Sequence, residues 1–135
     1  MNMPTKQVSV FVENKAGMAA YITDLLARNN IDIRAINISE TPDYGIFRLI
    51  TDDCEKTVSV FKEDGVTASV TEVLSVILED KVGFLAGILN GLHDSGINVE
   101  YFYAGVGQER SRLCIKVDKR VEAERVLMEI GARVE

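Results

Sequence analysis

Long apolar runs are missing from this sequence, and so is any concentration of histidine, cysteine or basic residues. No stretch approaches the roughly 20 apolar residues that cross a bilayer. No basic segment followed by an apolar one opens the chain, so a cytoplasmic protein with no membrane association is expected. The opening MNMPTK reads as a short frayed arm. The single histidine, His93, lies between Leu92 and Asp94 on an expected helix and reads as a solvated surface residue. No nucleophile, base and metal set can be assembled around it, so neither catalysis, a metal nor a cofactor is expected. Cys54 and Cys114 stand in unrelated contexts without a CxxC pair, which reads as two buried free thiols in a reducing compartment. With 15 Lys and Arg against 21 Asp and Glu, the net charge of −6 argues against nucleic acid as a partner. What remains is a 135-residue chain, 47% hydrophobic and 27% charged, able to bury a core as one average domain or two small ones.

What the chain does have is a repeated loop. VENKAGM (Val12 to Met18) returns as LEDKVGF (Leu78 to Phe84), each between an apolar run and an amphipathic segment. Holding the offset that aligns Gly17 with Gly83, Ser9 meets Ser75, Val10 meets Val76 and Lys15 meets Lys81. Further on, Ile22 meets Ile88, Leu26 meets Leu92, Ile31 meets Ile97, Asp52 meets Asp118 and Gly65 meets Gly131. A constant register over the whole second half is an internal duplication.

Each copy reads alike. Val8, Val10 and Val12 alternate as in a half-buried strand, with Leu74, Val76 and Leu78 as their counterparts. Met18, Ile22, Leu25 and Leu26 then fall at helical spacing, as do Phe84, Ile88 and Leu92. Asn30 and Gly96, residue types that tolerate the left-handed conformation, close those helices. IDIRAINIS and INVEYFYAG are β-branched or aromatic strands, followed by the turns TPDYG and GVGQERS and the strands IFRLIT and RLCIKV. Asp52 and Asp118 are expected to cap second helices that end at Gly65 and Gly131. VTASVTEV is a fourth strand of the first copy, whereas the second copy stops at ARVE. The order β-α-β-β-α-β, twice, is an α+β fold. It predicts two ferredoxin-like repeats, residues 1–72 and 73–135, docked side by side into an extended antiparallel sheet with helices on one face. Val8, Val10 and Val12 should face the helices. Ser9, Phe11, Ser75 and Ile77 would then form a face that needs covering, from which a homodimer is expected.

The repeated loop has a plain explanation, a tight turn at glycine with Asn14 or Asp80 capping the helix. It also has a chemical one. The amides at Gly17–Met18 or Gly83–Phe84 open a helix and can receive a carboxylate, although no GxxxxGK phosphate loop is present.

An apolar strand, ENKAGM or EDKVGF, an amphipathic helix and then NNIDI or SGINV together resemble the ACT domain. The resemblance covers nearly the whole chain as two tandem copies. It implies a regulatory domain that senses small molecules, most often amino acids, and serves metabolic enzymes. It implies further that effectors bind where the loop of one copy faces the second strand of its neighbour. Carried over by position, the ligand residues would be Asn14, Ala16, Gly17, Met18 and Asp32 in the first copy. In the second copy they would be Asp80, Val82, Gly83, Phe84 and Asn98. On that pairing Asn14 goes with Asn98 and Asp80 with Asp32. The amide pair suits a neutral amino acid, because it both donates and accepts, whereas two carboxylates only accept. The usual attached catalytic domain is absent from this sequence, so a metabolic enzyme would be a separate partner. A ligand-free assembly module would have the same sequence pattern. The acylphosphatase and RNA-binding uses of this fold lack, respectively, a phosphate loop and basic residues beside Tyr101, Phe102 and Tyr103.

Overall fold

The computed structural model describes residues 4–40, 42–106 and 110–135. The first three residues of the expected arm, the first residue of the expected turn TPDYG (Thr41) and the middle of the turn GVGQERS (107–109) lie outside the described residues. The elements are β1 (Thr5–Glu13), α1 (Met18–Arg28), β2 (Ile33–Glu40), β3 (Tyr44–Thr51), α2 (Cys54–Glu63) and β4 (Thr67–Ile77). They continue as α3 (Phe84–Asp94), β5 (Val99–Val106), β6 (Ser111–Val117) and α4 (Arg120–Glu129). No helix among the described residues is long and apolar enough to cross a membrane.

The chain is two βαββαβ repeats. One compact unit comprises Lys6–Thr71, the other Glu72–Glu135 together with Pro4 and Thr5. In the first, strands neighbour one another in the order β2-β3-β1-β4, and β3 lies antiparallel to both β1 and β2. Val8, Val10 and Val12 of β1 and Phe47 and Leu49 of β3 share one core with Ile22, Leu25 and Leu26 of α1 and Val60 and Phe61 of α2. Both helices therefore cover the same face of those strands, and the alternation in β1 points its valines at them as expected. In the second unit the order is β4-β6-β5, again antiparallel around β6. Leu74 and Val76 meet Leu113, Ile115 and Val117, under Ile88 and Leu92 of α3 and Ala123 and Leu127 of α4. Leu26 and Leu92 are fully buried, and truncating either to alanine would cost about 2–5 kcal/mol.

The helices stop as the sequence leads one to expect. After α1 the chain turns left-handed at Asn30 (φ 57°), where the amides of Asn30 and Ile31 donate back to the carbonyls of Ala27 and Leu26. Gly96 (φ 73°) closes α3 with the same bond pair, Gly96 to His93 and Ile97 to Leu92. Such a stop satisfies carbonyls that the helix end leaves open.

Three local features differ from expectation. Asp52 and Asp118 do not cap the second helices. The α2 cap is Asp53, which accepts from the Lys56 amide at 3.0 Å, while the residue at the N-cap of α4, Lys119, makes no side-chain cap bond. Asp52 instead accepts from the Asp32 amide (3.0 Å) and Asp118 from the Asn98 amide (3.0 Å), so each ties the start of β2 or β5 to the end of the neighbouring strand. Secondly, ARVE does not simply stop the second copy. The Ile77 amide donates to the Arg133 carbonyl, the Glu135 amide donates to the Ser75 carbonyl, and Val134 bridges Val76. These residues flank β4 on the side opposite β6 and stand where a fourth strand would.

Thirdly, the face turned away from the helices is not an open apolar patch. Ser9, Ser75 and Ile77 are buried, and only Phe11 of that set is exposed. Three exposed apolar side chains, Ile36, Ile38 and Phe102, lie on strands β2 and β5. A register shift between Ile33 and Ala35 pairs Ile36 with Leu49 and Ile38 with Phe47, which turns both isoleucines to the helix-bearing face at the uncovered margin. The same shift in β5 does this for Phe102, paired with Ile115.

Candidate functional site

The two loops are built alike down to their hydrogen bonds. In the first, the Lys15 amide donates to the Glu13 carbonyl and the Met18 amide to the Lys15 carbonyl. In the second, Lys81 donates to Glu79 and Phe84 to Lys81. The residue before each helix, Gly17 or Gly83, sits at φ 88°, and a Cβ there would meet nothing within 4 Å. Glycine is required by the backbone angle and not by crowding. The residue at each N-cap position is the glycine, which has no side chain to cap with. The Asn14 amide donates to the Asp43 carbonyl, which fastens the loop to the start of β3. Glu13 and Lys15 form an exposed ion pair at 3.5 Å, as do Glu79 and Lys81. Lys81 also lies 5.8 Å from the centre of the Phe84 ring, whereas the first loop has Met18 in that place. Exposed pairs of this kind contribute about 0–1 kcal/mol, so they shape charge more than stability.

Similar loops border different clefts. In the first repeat Asn14, Gly17 and Met18 rim a cleft of about 180 Å3 whose floor is Ile38, Gly45 and Phe47 of β2 and β3. In the second, Gly83 and Phe84 border a cleft of about 270 Å3 that runs toward the end of α4, along Gly87, Ile88, Ile130 and Gly131. Ala16, Asp80 and Val82 line neither cleft. All three are exposed.

The strand residues stand elsewhere. Asp32 is held by Asp52 at one end of β3, and Asn14 by Asp43 at the other. Along that strand they are about 25–30 Å apart. Asn98 is likewise held by Asp118 past the end of β6, while Leu78 meets Ser111 at its beginning. Neither repeat therefore assembles its loop and strand candidates into one site. Asn98 borders a third cleft, about 520 Å3, with His93, Glu100, Tyr101 and Phe102. His93 is exposed, as the sequence indicates, but its place in that cleft is a tertiary fact. Tyr101 and Tyr103 stack with centroids 6.5 Å apart.

Both cysteines are free. Burial pushes the Cys114 thiol up to about 11, against smaller opposing effects of Arg112 and Tyr103. Burial likewise raises that of the half-buried Cys54. Neither is a ready nucleophile at neutral pH. No group of three or more His, Cys, Asp or Glu suited to a metal occurs among the described residues.

Comparison with known proteins agrees with this architecture. A family model described as an ACT domain pair matches residues 3–132. No curated protein matches in sequence. Among solved structures, protein BT0572 from Bacteroides thetaiotaomicron is 30% identical, with a TM-score of 0.90 over 98% of this chain and 92% of that one. The regulatory subunit of aspartate kinase from Thermus thermophilus, in its ligand-free form, is 15% identical, with a TM-score of 0.65 over 95% and 93% of the two chains. A structure of aspartokinase alpha and beta subunits is 22% identical, with a TM-score of 0.60 over 93% and 91%.

Proposed function

Because the chain belongs to the ACT-domain family as an ACT domain pair, we propose that it is the non-catalytic regulatory subunit of a metabolic enzyme and that it senses an amino acid. The observation that carries this reading is the match of an ACT domain pair to residues 3–132. A chain of the same two-repeat fold, matched over nearly its whole length, is the regulatory subunit of a bacterial aspartate kinase. That likeness is one of fold and supports the kind of role, a regulatory chain beside a separate catalyst. The chemistry of the loops fits an amino acid. Each offers a helix start with glycine at the N-cap position for a carboxylate, and an acidic residue, Glu13 or Glu79, for an ammonium.

Homodimerisation belongs to the same proposal. Ile36, Ile38 and Phe102 are exposed on strands β2 and β5, and such margins pair readily with another copy. Sedimentation at micromolar concentration checks it, a monomer being the contrary result. The sensing role is tested by thermal-shift measurement with each of the twenty common amino acids at millimolar concentration. A ligand present at a hundred times its Kd stabilises the folded chain by about 2.7 kcal/mol. A rise of several degrees with one amino acid, or one small chemical group of them, is the expected result. No rise with any of the twenty refutes sensing and leaves an assembly module.

A further inference from the structure

The two repeats differ at one pair of equivalent positions that borders a cleft of the second. In the first repeat Tyr21 of α1 reaches across to α2, where its hydroxyl donates to Asp64. At the constant offset, Tyr21 corresponds to Gly87 and Asp64 to Ile130. The second repeat thus has neither the ring nor the carboxylate, and the 270 Å3 cleft runs along Gly87, Ile88 and Ile130. The first repeat supplies its own covering side chain there; the second does not. Ile130 lies close over α3, since a Cβ on Gly91 would come within 2.9 Å of its Cδ1. Ile88 and Ile130 give that part of the lining its aliphatic surface. At the cleft's mouth stand Glu79 and Lys81, an anion and a cation 3.5 Å apart, with the Lys81 ammonium 5.8 Å from the Phe84 ring centre. A cleft with apolar side chains along one part and one charge of each sign in its lining complements an α-amino acid that has an apolar side chain.

We propose that the second repeat alone binds an apolar α-amino acid in the cleft between α3 and the end of α4. The side chain lies over Gly87 against Ile130, the carboxylate meets Lys81, and the ammonium meets Glu79. The proposal rests on the reading that the chain senses amino acids, and it places the sensor within one repeat. Gly87 is the specificity-determining position, because a large side chain there would occupy the cleft.

Calorimetry with L-leucine, L-phenylalanine and L-alanine on the intact chain tests it. Leucine or phenylalanine should bind roughly tenfold or more tightly than alanine, as burial of two or more extra carbons requires. Gly87→Tyr, which copies the first repeat, should weaken that binding at least about tenfold, as should Glu79→Gln and Lys81→Gln. Tyr21→Phe should leave it unchanged. A Cβ at Gly87 meets nothing within 4 Å and the site is helical, so Gly87→Tyr will fold. Ile130→Asp provides a second, independent disruption of the apolar wall. Wild-type affinity in both Gly87→Tyr and Ile130→Asp, or equal affinity for alanine and leucine, overturns the cleft while amino-acid sensing stands. If none of the twenty amino acids binds the wild-type chain, both readings fall.

Discussion

Three glycines four residues apart, Gly83, Gly87 and Gly91, should respond to alanine in three different ways. Gly83 precedes α3 at φ 88° with open space around it. An alanine there carries about 1–2 kcal/mol of left-handed strain. Restricting the unfolded chain returns about 0.4–1 kcal/mol, so the net loss is about 1 kcal/mol. Gly87 lies inside the helix, and its Cβ would also meet nothing. Alanine there gains about 0.5–1 kcal/mol from helix propensity alone. Gly91 has the same propensity gain, but its Cβ would come within 2.9 Å of the Ile130 Cδ1. Because Ile130 is half exposed it can swing aside and lose its packing, which leaves Gly91→Ala near neutral. Equilibrium urea unfolding of the three variants at unchanged m-value reads these differences directly. In a chain of this size 1 kcal/mol shifts Tm by about 3–5 °C. A Gly87→Ala variant less stable than wild type, or a neutral Gly83→Ala, would refute the reasoning.

Two further outcomes follow from the bonds described. Asp52→Ala should speed hydrogen exchange at the Asp32 amide and Asp118→Ala at the Asn98 amide, each with a loss of about 1 kcal/mol, while Asp53→Ala acts on Lys56 alone; exchange monitored by NMR separates them, and unchanged Asp32 exchange in Asp52→Ala contradicts the assignment. The Cys114 thiol is raised from 9.0 to about 11, so between those pH values the unfolded chain loses a proton that the folded chain keeps. Stability from this group is complete below pH 9, falls by about 2–3 kcal/mol as pH rises to about 11, and loses that slope in Cys114→Ser, as pH-dependent denaturation will show.

Much of the fold was legible because period and punctuation are local properties. The alternation of Val8, Val10 and Val12, the helical spacing of Ile22, Leu25 and Leu26, and the stops at Asn30 and Gly96 each depend on neighbours a few residues away. What escaped depends on where separate segments meet. In Asp52–Asp53 two acids compete for one cap, and a one-residue difference in where α2 begins hands it to the second. The closing residues 133–135 are too short to show a strand period, and only the backbone of Ser75 and Ile77 makes them pair. At the candidate site the loops were readable, but the separation of Asn14 from Asp32 along β3 follows from strand register, which no local pattern encodes. The exchange of Tyr21 for Gly87 and of Asp64 for Ile130 is visible on alignment, yet its consequence depends on a contact between two helices.

The described residues that adopt positive φ are Gly17, Asn30, Gly65, Gly83, Gly96 and Gly131, which form three pairs at the repeat's constant offset. Side chains have drifted between the copies far enough to turn tyrosine into glycine and aspartate into isoleucine, but the handedness of the chain at these points has not changed in either. Descent in this molecule is thus recorded more durably in dihedral sign than in chemistry. Substitution on the exposed side of a helix is nearly free, whereas reversal of a turn would redirect everything after it. Three left-handed positions spaced like 17, 30 and 65 form a sparse template for recognising a further copy of this unit whose side-chain identities have been erased.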